Sequence, residues 1–210
     1  MRGLVRVGAA VPSLALGNVK ENMKRHLAMM REAKEKHVSI VTFPELSLTG
    51  YTCGDLFFQR RLLDDVTDAL LALKDEMPEG ILAVVGAPLE IEGALYNCAV
   101  VLHKGEIISA VPKTFLPNNG EFYEKRWFQS GDARRDASVA IPKLKTDVCR
   151  QAIFEMEDGV RFGIELCEDL WAPLPPSTML SVEGAEIILN LSASNELLSK
   201  REYRQQLISQ

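Results

Sequence analysis

Three residues stand at the ends of apolar, β-rich runs, and their types fit together chemically. Phe162, Ile164 and Leu166 alternate with Arg161, Gly163 and Glu165, so a strand ends at Cys167, and Glu168-Asp169-Leu170-Trp171 begins the turn or short helix after it. Glu45 follows Val38 to Phe43 and then Pro44, which ends ladder pairing and leaves a carboxylate at the rim of an apolar sheet. Lys113 repeats the arrangement behind Ile107 to Val111 and Pro112. A thiol, a carboxylate and a lone cation are the nucleophile, the base and the oxyanion stabiliser of covalent catalysis. A strand-end thiol can meet a helix N-terminus or a nest of backbone N–H groups, which favours the thiolate, while Glu168 and Asp169 oppose it. A partly desolvated carboxylate suits the transfer of a proton. Taken singly, each residue has a plainer reading: Cys167 as a small buried filler, Glu45 as a loop glutamate, Lys113 as a solvated surface lysine. Spacing alone does not establish that they converge.

The elements that would have to bring them together are read from periodicity. Leu4 to Val11 is a short apolar strand. Asn18, with Glu21 three residues later, offers a helix cap before the stripe Val19, Met23, Leu27 and Met30. Val38 to Phe43 is a strand, Leu62, Leu63, Val66, Leu70 and Leu73 form a second helical stripe, and Ile81 to Ala87 is again strand-like. Leu95 to His103 and Glu106 to Val111 flank Lys104-Gly105, a hairpin turn. A second hairpin is predicted from Gln151 to Met156 and Val160 to Leu166 across Asp158-Gly159. Glu186 to Leu191 is a further strand, and Glu196 to Ile208 is predicted helical. Between the hairpins, Asn118 to Lys143 is a large excursion, part of it packed down by Phe122, Tyr123, Trp127 and Phe128. Strand-helix alternation mixed with hairpins predicts mixed sheets on helices, with two sheets back to back.

Residues 1–210 form one domain on this reading, with 47% hydrophobic and 25% charged residues, enough for a sizeable core. A formal net charge of -5, with only short basic clusters such as Lys24-Arg25 and Arg134-Arg135, argues against nucleic acid or an anionic membrane as partner. No apolar run reaches the roughly 18 to 20 residues that span a bilayer, and Met1 to Val11 lacks signal-peptide organisation, so a cytoplasmic location is expected. Cys53, Cys98, Cys149 and Cys167 form no CxxC pair and are read as thiols. His26, His37 and His103 have no zinc-ligand spacing, so no metal site is expected.

Phe43-Pro44-Glu45-Leu46-Ser47-Leu48-Thr49-Gly50-Tyr51, Pro112-Lys113-Thr114-Phe115-Leu116-Pro117 and Glu165-Leu166-Cys167-Glu168-Asp169-Leu170-Trp171, in that order, resemble the base, lysine and nucleophile motifs of the nitrilase superfamily. The resemblance implies an α/β fold, a four-layer α-β-β-α sandwich of the nitrilase or carbon-nitrogen hydrolase type. It also implies a Glu-Lys-Cys triad that cleaves or forms amide-type carbon-nitrogen bonds. Cys-Glu-Asp-Leu-Trp, combined with Gly120-Glu121-Phe122-Tyr123-Glu124, most resembles the glutaminase domains of glutamine-dependent NAD synthetases, which implies glutamine as substrate. Carried over, Glu45 takes the proton of Cys167 and returns it to departing ammonia. Lys113 and backbone N–H groups near Glu168 hold the oxyanion, and water hydrolyses the γ-glutamyl thioester. Glu121 resembles the second glutamate that orients the lysine, and Tyr51, Phe122, Glu168 and Ser194 resemble residues around bound glutamine. Asn119 stands where some relatives have an aromatic residue, and Lys200 where some have arginine. Plainer readings of Tyr51 and Phe122 are core aromatics, and of Ser194 a helix cap.

Domains of this family continue for several more strands, so the C-terminal part of the domain is expected to lie beyond Gln210. Nothing in the sequence resembles the Ser-Gly-Gly phosphate loop of a synthetase, so no cofactor is expected in this domain. ATP, Mg²⁺ and deamido-NAD are expected in a C-terminal synthetase domain that receives the ammonia. Relatives are homo-oligomers, and the same is expected here. Two other readings stay open: a free-standing amidase or carbamoylase of the same superfamily, and a catalytically silent domain that only packs against partners. Retention of Glu, Lys and Cys at all three motifs opposes the second.

Overall fold

The computed structural model describes residues 4–133, 138–141 and 143–209; the Arg134-Arg135 cluster lies outside the described residues. Strand β1 (Val7–Ala9) leads to helix α1 (Val19–Glu35), β2 (Ile40–Thr42), a kinked 3-10 segment (Tyr51–Phe58) and α2 (Arg60–Glu76). Strands β3 (Leu82–Ile91), β4 (Ala94–His103) and β5 (Glu106–Pro112) form a meander, followed by β6 (Ser138–Ile141) and β7 (Thr146–Cys149). Then come β8 (Ile153–Glu155), β9 (Arg161–Leu166), a 3-10 turn (Cys167–Trp171), α3 (Pro176–Val182), β10 (Ile187–Leu191) and α4 (Lys200–Ile208).

Two sheets result: a seven-stranded one in the order β1-β2-β3-β4-β5-β7-β6 and a three-stranded one in the order β10-β9-β8. Strands β1, β2 and β3 run parallel, the β3-β4-β5 meander is antiparallel, and β9 pairs with β10 in parallel and with β8 antiparallel. The period-2 alternation of strand side chains sorts the apolar residues into two cores. Val41, Ala83, Val85, Ala87, Cys98 and Val100 share one cluster with Leu27 and Met30 of α1 and Val66, Leu70 and Leu73 of α2. Their neighbours Ile40, Leu82, Val84, Ala99 and Val101 share the other with Phe162, Ile164, Leu166 and Leu189 of the second sheet. On that sheet's outer face, α3 presses Leu180 onto Gly163, where an added Cβ would stand 2.8 Å from Leu180 Cδ1. The layers are therefore helix, sheet, sheet, helix.

The Asn18 side chain accepts the Glu21 N–H at 3.1 Å, as the capping pattern predicts. Lys104 and Gly105 both have positive φ, 49° and 76°, which a tight two-residue hairpin turn requires. Several boundaries differ from the sequence reading. The Leu4 to Val11 and Val38 to Phe43 runs pair over only three residues each. The predicted helix from Glu196 starts at Lys200. A β3-β4 hairpin turning at Glu92-Gly93 joins two runs that were read as separate. Helix α3 is seven residues long, too short to show a 3.6 period, and is set by Pro176 in its first turn. Strands β6 and β7 are four residues each and rest on the sheet edge, with Val148 opposite Ala110; so short a pairing leaves no alternation to read.

Candidate active site

Glu45 is positioned by close packing of a turn on a strand. After β2, the Phe43 N–H donates to Val84 O at 2.9 Å, and the chain from Pro44 to Leu48 crosses β3 at Gly86, where Leu48 N–H donates to Gly86 O at 3.1 Å. An added Cβ at Gly86 would stand 2.3 Å from Pro44 O and 2.4 Å from Leu46 N, so only glycine admits the turn. Leu46 takes a left-handed φ of 51°. From α1, buried His26 meets Ser47 Oγ through Nε2 at 2.9 Å, and Asn22 Nδ2 donates to Leu48 O at 3.0 Å. The helix thereby grips both sides of the turn.

Lys113 is held at the end of β5 by its own backbone. Its N–H donates to Asn97 O at 2.8 Å, and its carbonyl accepts the Gly131 N–H at 2.8 Å. Cys167 opens the 3-10 turn with a φ of 43°, a left-handed conformation that a β-carbon disfavours by about 1–3 kcal/mol. Such strain at a strand-to-turn junction presents the side chain out of the sheet. On the strand behind it, buried Glu165 accepts from Asn190 Nδ2 and from Ser177 N–H, both at 3.1 Å, which ties β9 to β10 and to α3.

The three strand ends converge. Lys113 Nζ donates to Glu45 Oε1 at 2.6 Å and to Glu124 Oε1 at 2.6 Å, and all three side chains are at most 1% exposed. Asn97 Nδ2 donates to the same Glu45 oxygen at 2.7 Å and to Glu124 Oε2 at 3.4 Å. The other Glu45 oxygen, Oε2, accepts the Ala193 N–H at 3.1 Å, and the Glu45 charge lies near enough to the Cys167 thiol to raise its pKa. Burial first, and Glu45 second, push the Cys167 thiol up to about 12, against the pull of Lys113 and the Ala193 N–H. At neutral pH the Cys167 side chain is therefore a neutral thiol, with the Glu45 carboxylate close to it. Burial pulls the Lys113 ammonium down, but Glu45 and Glu124 outweigh it and hold it above the ordinary lysine value. Burial, then the Glu45 charge, holds the Glu124 carboxyl above its usual range.

The glutamate beside the lysine is Glu124, not Glu121. The turn that brings Phe122 N–H to Asn119 O and Glu124 N–H to Pro117 O carries Glu124 inward. Glu121 is left exposed, hydrogen-bonded to Asn195 Nδ2. Tyr51 packs its ring against the main core, as the plainer reading has it, and also donates its hydroxyl to Glu124 Oε1 at 2.6 Å and meets Phe122 edge to face at 6.2 Å. Ser194 lies six residues before α4 and does not cap it; its Oγ accepts from Lys200 Nζ at 2.7 Å, and Lys200 stands 5.2 Å over the Trp171 ring. Trp171 borders two cavities of about 410 Å³ each, one lined by Ala193 and Ser194, the other by Glu168, Thr114 and Phe115. Glu168 and Ser194 thus face different hollows. Asn97 and Glu124 were missed from the sequence; an asparagine inside the apolar run Leu95 to His103 was the available signal for the first.

Comparison with known proteins bears on the family and the fold. The family model described as carbon-nitrogen hydrolase matches residues 6–210. A glutamine-dependent NAD(+) synthetase of Mycobacterium tuberculosis is 36% identical over 208 residues, covering 98% of this chain and 30% of that protein. The human protein of the same name is 30% identical over 196 residues, covering 90% of this chain and 28% of its own length. The chain therefore spans under a third of the curated relatives it matches. Among solved structures, a glutamine-dependent NAD(+) synthetase from Cytophaga hutchinsonii superposes with a TM-score of 0.83 at 29% identity, over 97% of this chain and 33% of that one. An amidase from Nesterenkonia sp. superposes at 0.73 with 17% identity, a likeness of fold. By its family match over nearly the whole chain and by its layered fold, this chain belongs to the carbon-nitrogen hydrolase family.

Proposed function

We propose that this chain is the glutaminase part of a glutamine-dependent NAD synthetase, hydrolysing the glutamine side-chain amide through a cysteine thioester. The observation that carries the reading is the convergence on one buried carboxylate, Glu45, of the Lys113 ammonium at 2.6 Å and the Ala193 N–H at 3.1 Å, with the Cys167 thiol near enough to feel its charge. Glu45 takes the thiol proton as the sulfur attacks the amide carbon. An ammonium has three N–H donors; two are on Glu45 and Glu124, and the third serves the oxyanion together with backbone N–H near Glu168. Collapse of the tetrahedral adduct breaks the carbon-nitrogen bond as Glu45 returns the proton to the leaving ammonia. Water, deprotonated by Glu45, then cleaves the γ-glutamyl thioester, and Glu45 passes that proton to the departing Cys167 sulfur, so glutamine and water become glutamate and ammonia and the thiol is restored.

Tyr51, Phe122, Glu168, Ser194 and Lys200 are the glutamine contacts in this proposal, with Glu168 and Ser194 reaching it from the two hollows on either side of Trp171. The ammonia passes to a synthetase domain that binds ATP, Mg²⁺ and deamido-NAD, in a cytoplasmic homo-oligomer. The similarity to NAD synthetases over nearly all of this chain supports that assignment. Labelling by a diazo-ketone analogue of glutamine, read by intact mass and peptide mapping, tests it. A single adduct on Cys167, blocked by excess glutamine and absent from Cys167→Ala, is expected. Equal labelling of Cys53, Cys98 and Cys149, or indifference to glutamine, overturns the glutamine assignment.

A further inference from the structure

Lys113 rides on the seven-stranded sheet and Cys167 on the three-stranded one, so the two must be registered across a sheet-to-sheet interface that no backbone ladder spans. At the catalytic end a second buried carboxylate, besides Glu45, bridges them. Asp169, only 1% exposed, accepts the Phe115 N–H on Oδ1 at 2.7 Å and the Thr114 N–H on the same oxygen at 3.1 Å. Its Oδ2 accepts the Leu166 N–H at 3.0 Å, with a longer 3.4 Å approach from Thr114. Two of these donors immediately follow Lys113 and the third immediately precedes Cys167. The bond back to Leu166 straddles the left-handed Cys167, closing the turn that presents the sulfur.

We propose that Asp169 is a positioning residue for amide hydrolysis, its carboxylate fixing the Lys113 loop against the Cys167 turn. This rests on the reading of Glu45, Lys113 and Cys167 as the reacting groups. Three backbone donors, those of Leu166 and Thr114 buried and that of Phe115 partly so, converge on oxygens that only accept when the carboxyl is ionised, and nothing of the same shape replaces them: asparagine would turn an N–H₂ group toward one of the donors. Burial pushes the Asp169 carboxyl up to about 7, while the Leu166 and Phe115 N–H groups and Lys113 pull it back. Its position is thus maintained by the donors rather than by a contacting cation.

The test compares the wild-type chain with Asp169→Asn and Asp169→Glu, all scored per folded molecule by near-ultraviolet circular dichroism. Cys167 is labelled with the diazo-ketone analogue of glutamine, resolved into a maximal rate and a half-saturating concentration, and in parallel with iodoacetamide. The expected result is that Asp169→Asn lowers the maximal rate at least tenfold while half-saturation stays within threefold, and that Asp169→Glu, which keeps both acceptor oxygens, recovers most of the loss. If Asp169→Asn does not fold, a folded Asp169→Glu within threefold of the wild-type rate supports the inference. An unchanged rate in Asp169→Asn, an equal loss in both variants, a loss confined to half-saturation, or failure of both variants to fold overturns it. If wild-type Cys167 reacts with iodoacetamide but not with the glutamine analogue, the glutamine assignment falls, and the Asp169 comparison is read from the iodoacetamide rates with the same tenfold expectation.

Discussion

Lys113 and Glu45 meet through one carboxylate oxygen only: Oε1 stands 2.6 Å from the ammonium, while Oε2 is turned to the Ala193 N–H at 3.1 Å. Asn97 adds a second donor to Oε1 at 2.7 Å. Both oxygens are therefore held, Oε1 by the Lys113 and Asn97 side chains and Oε2 by a backbone N–H. In the proposed cycle Glu45 serves twice as the base, and this two-sided hold keeps the carboxylate from rotating between the two proton transfers.

The two nearby glutamates of the excursion should separate cleanly by mutation. Glu124→Gln removes the buried charge opposite Lys113 and is expected to lower glutamine turnover about a hundredfold or more, the scale seen when a preorganised electrostatic group is lost. Glu121→Gln, exposed and on the far side of the turn, should stay within about threefold, a small change for a surface substitution. Ammonia release at saturating glutamine measures both; the reverse order would restore Glu121 as the partner of the lysine.

Replacing Lys113 should cost stability as well as chemistry. Lys113→Met leaves Glu45 and Glu124 buried without their cation, a loss of about 3–5 kcal/mol. Urea unfolding at pH 7 is the measurement, with Cys167→Ala as the control that leaves the ion pairs intact. The Lys113→Met deficit should shrink at pH 5, where the orphaned carboxylates can take up protons; a deficit independent of pH would mean that lost packing dominates.

Gly86→Ala tests the close approach that seats Glu45. The added carbon would stand 2.3 Å from a carbonyl oxygen and 2.4 Å from an amide nitrogen, both backbone, so the turn must lift off β3. We expect about 3 kcal/mol of destabilisation, the upper part of the range for overpacking, and slow Cys167 labelling in whatever stays folded. Wild-type labelling in a stable Gly86→Ala variant would show that Glu45 needs no such seat.

His26 gives the chain an acid-sensitive grip on the same turn. Burial lowers it from 6.5 to about 4, against the raising effect of its bond to Asn22 O. The unfolded chain therefore binds a proton that the folded one refuses between those values. The stabilisation is full above about pH 6.5 and is lost as pH falls toward 4, by about 3 kcal/mol in all. Stability measured at pH 7 and pH 4.5 should fall less in His26→Gln than in the wild type; parallel falls would assign the acid sensitivity to the carboxylates.

How far the sequence reached can be seen residue by residue. Cys167, Glu45 and Lys113 were legible because each closes a β run, and a strand's alternation or a following proline marks its end locally. The stripes of α1 and α2 were legible for the same reason, since apolar spacing reports a buried face within a few residues. Glu124 was not: it sits in an irregular segment where no period tells which of two glutamates three positions apart turns inward, and two backbone bonds of the turn decide it. Asn97 and Asp169 were visible as polar residues in or beside apolar runs, but their partners lie 52 and 55 residues away. The sequence by itself determined which side chains stand at strand ends and which faces are apolar. Only the tertiary structure decided that ends from two separate sheets meet at one buried cluster, because strand order and sheet stacking are set by contacts between distant segments that no local pattern records.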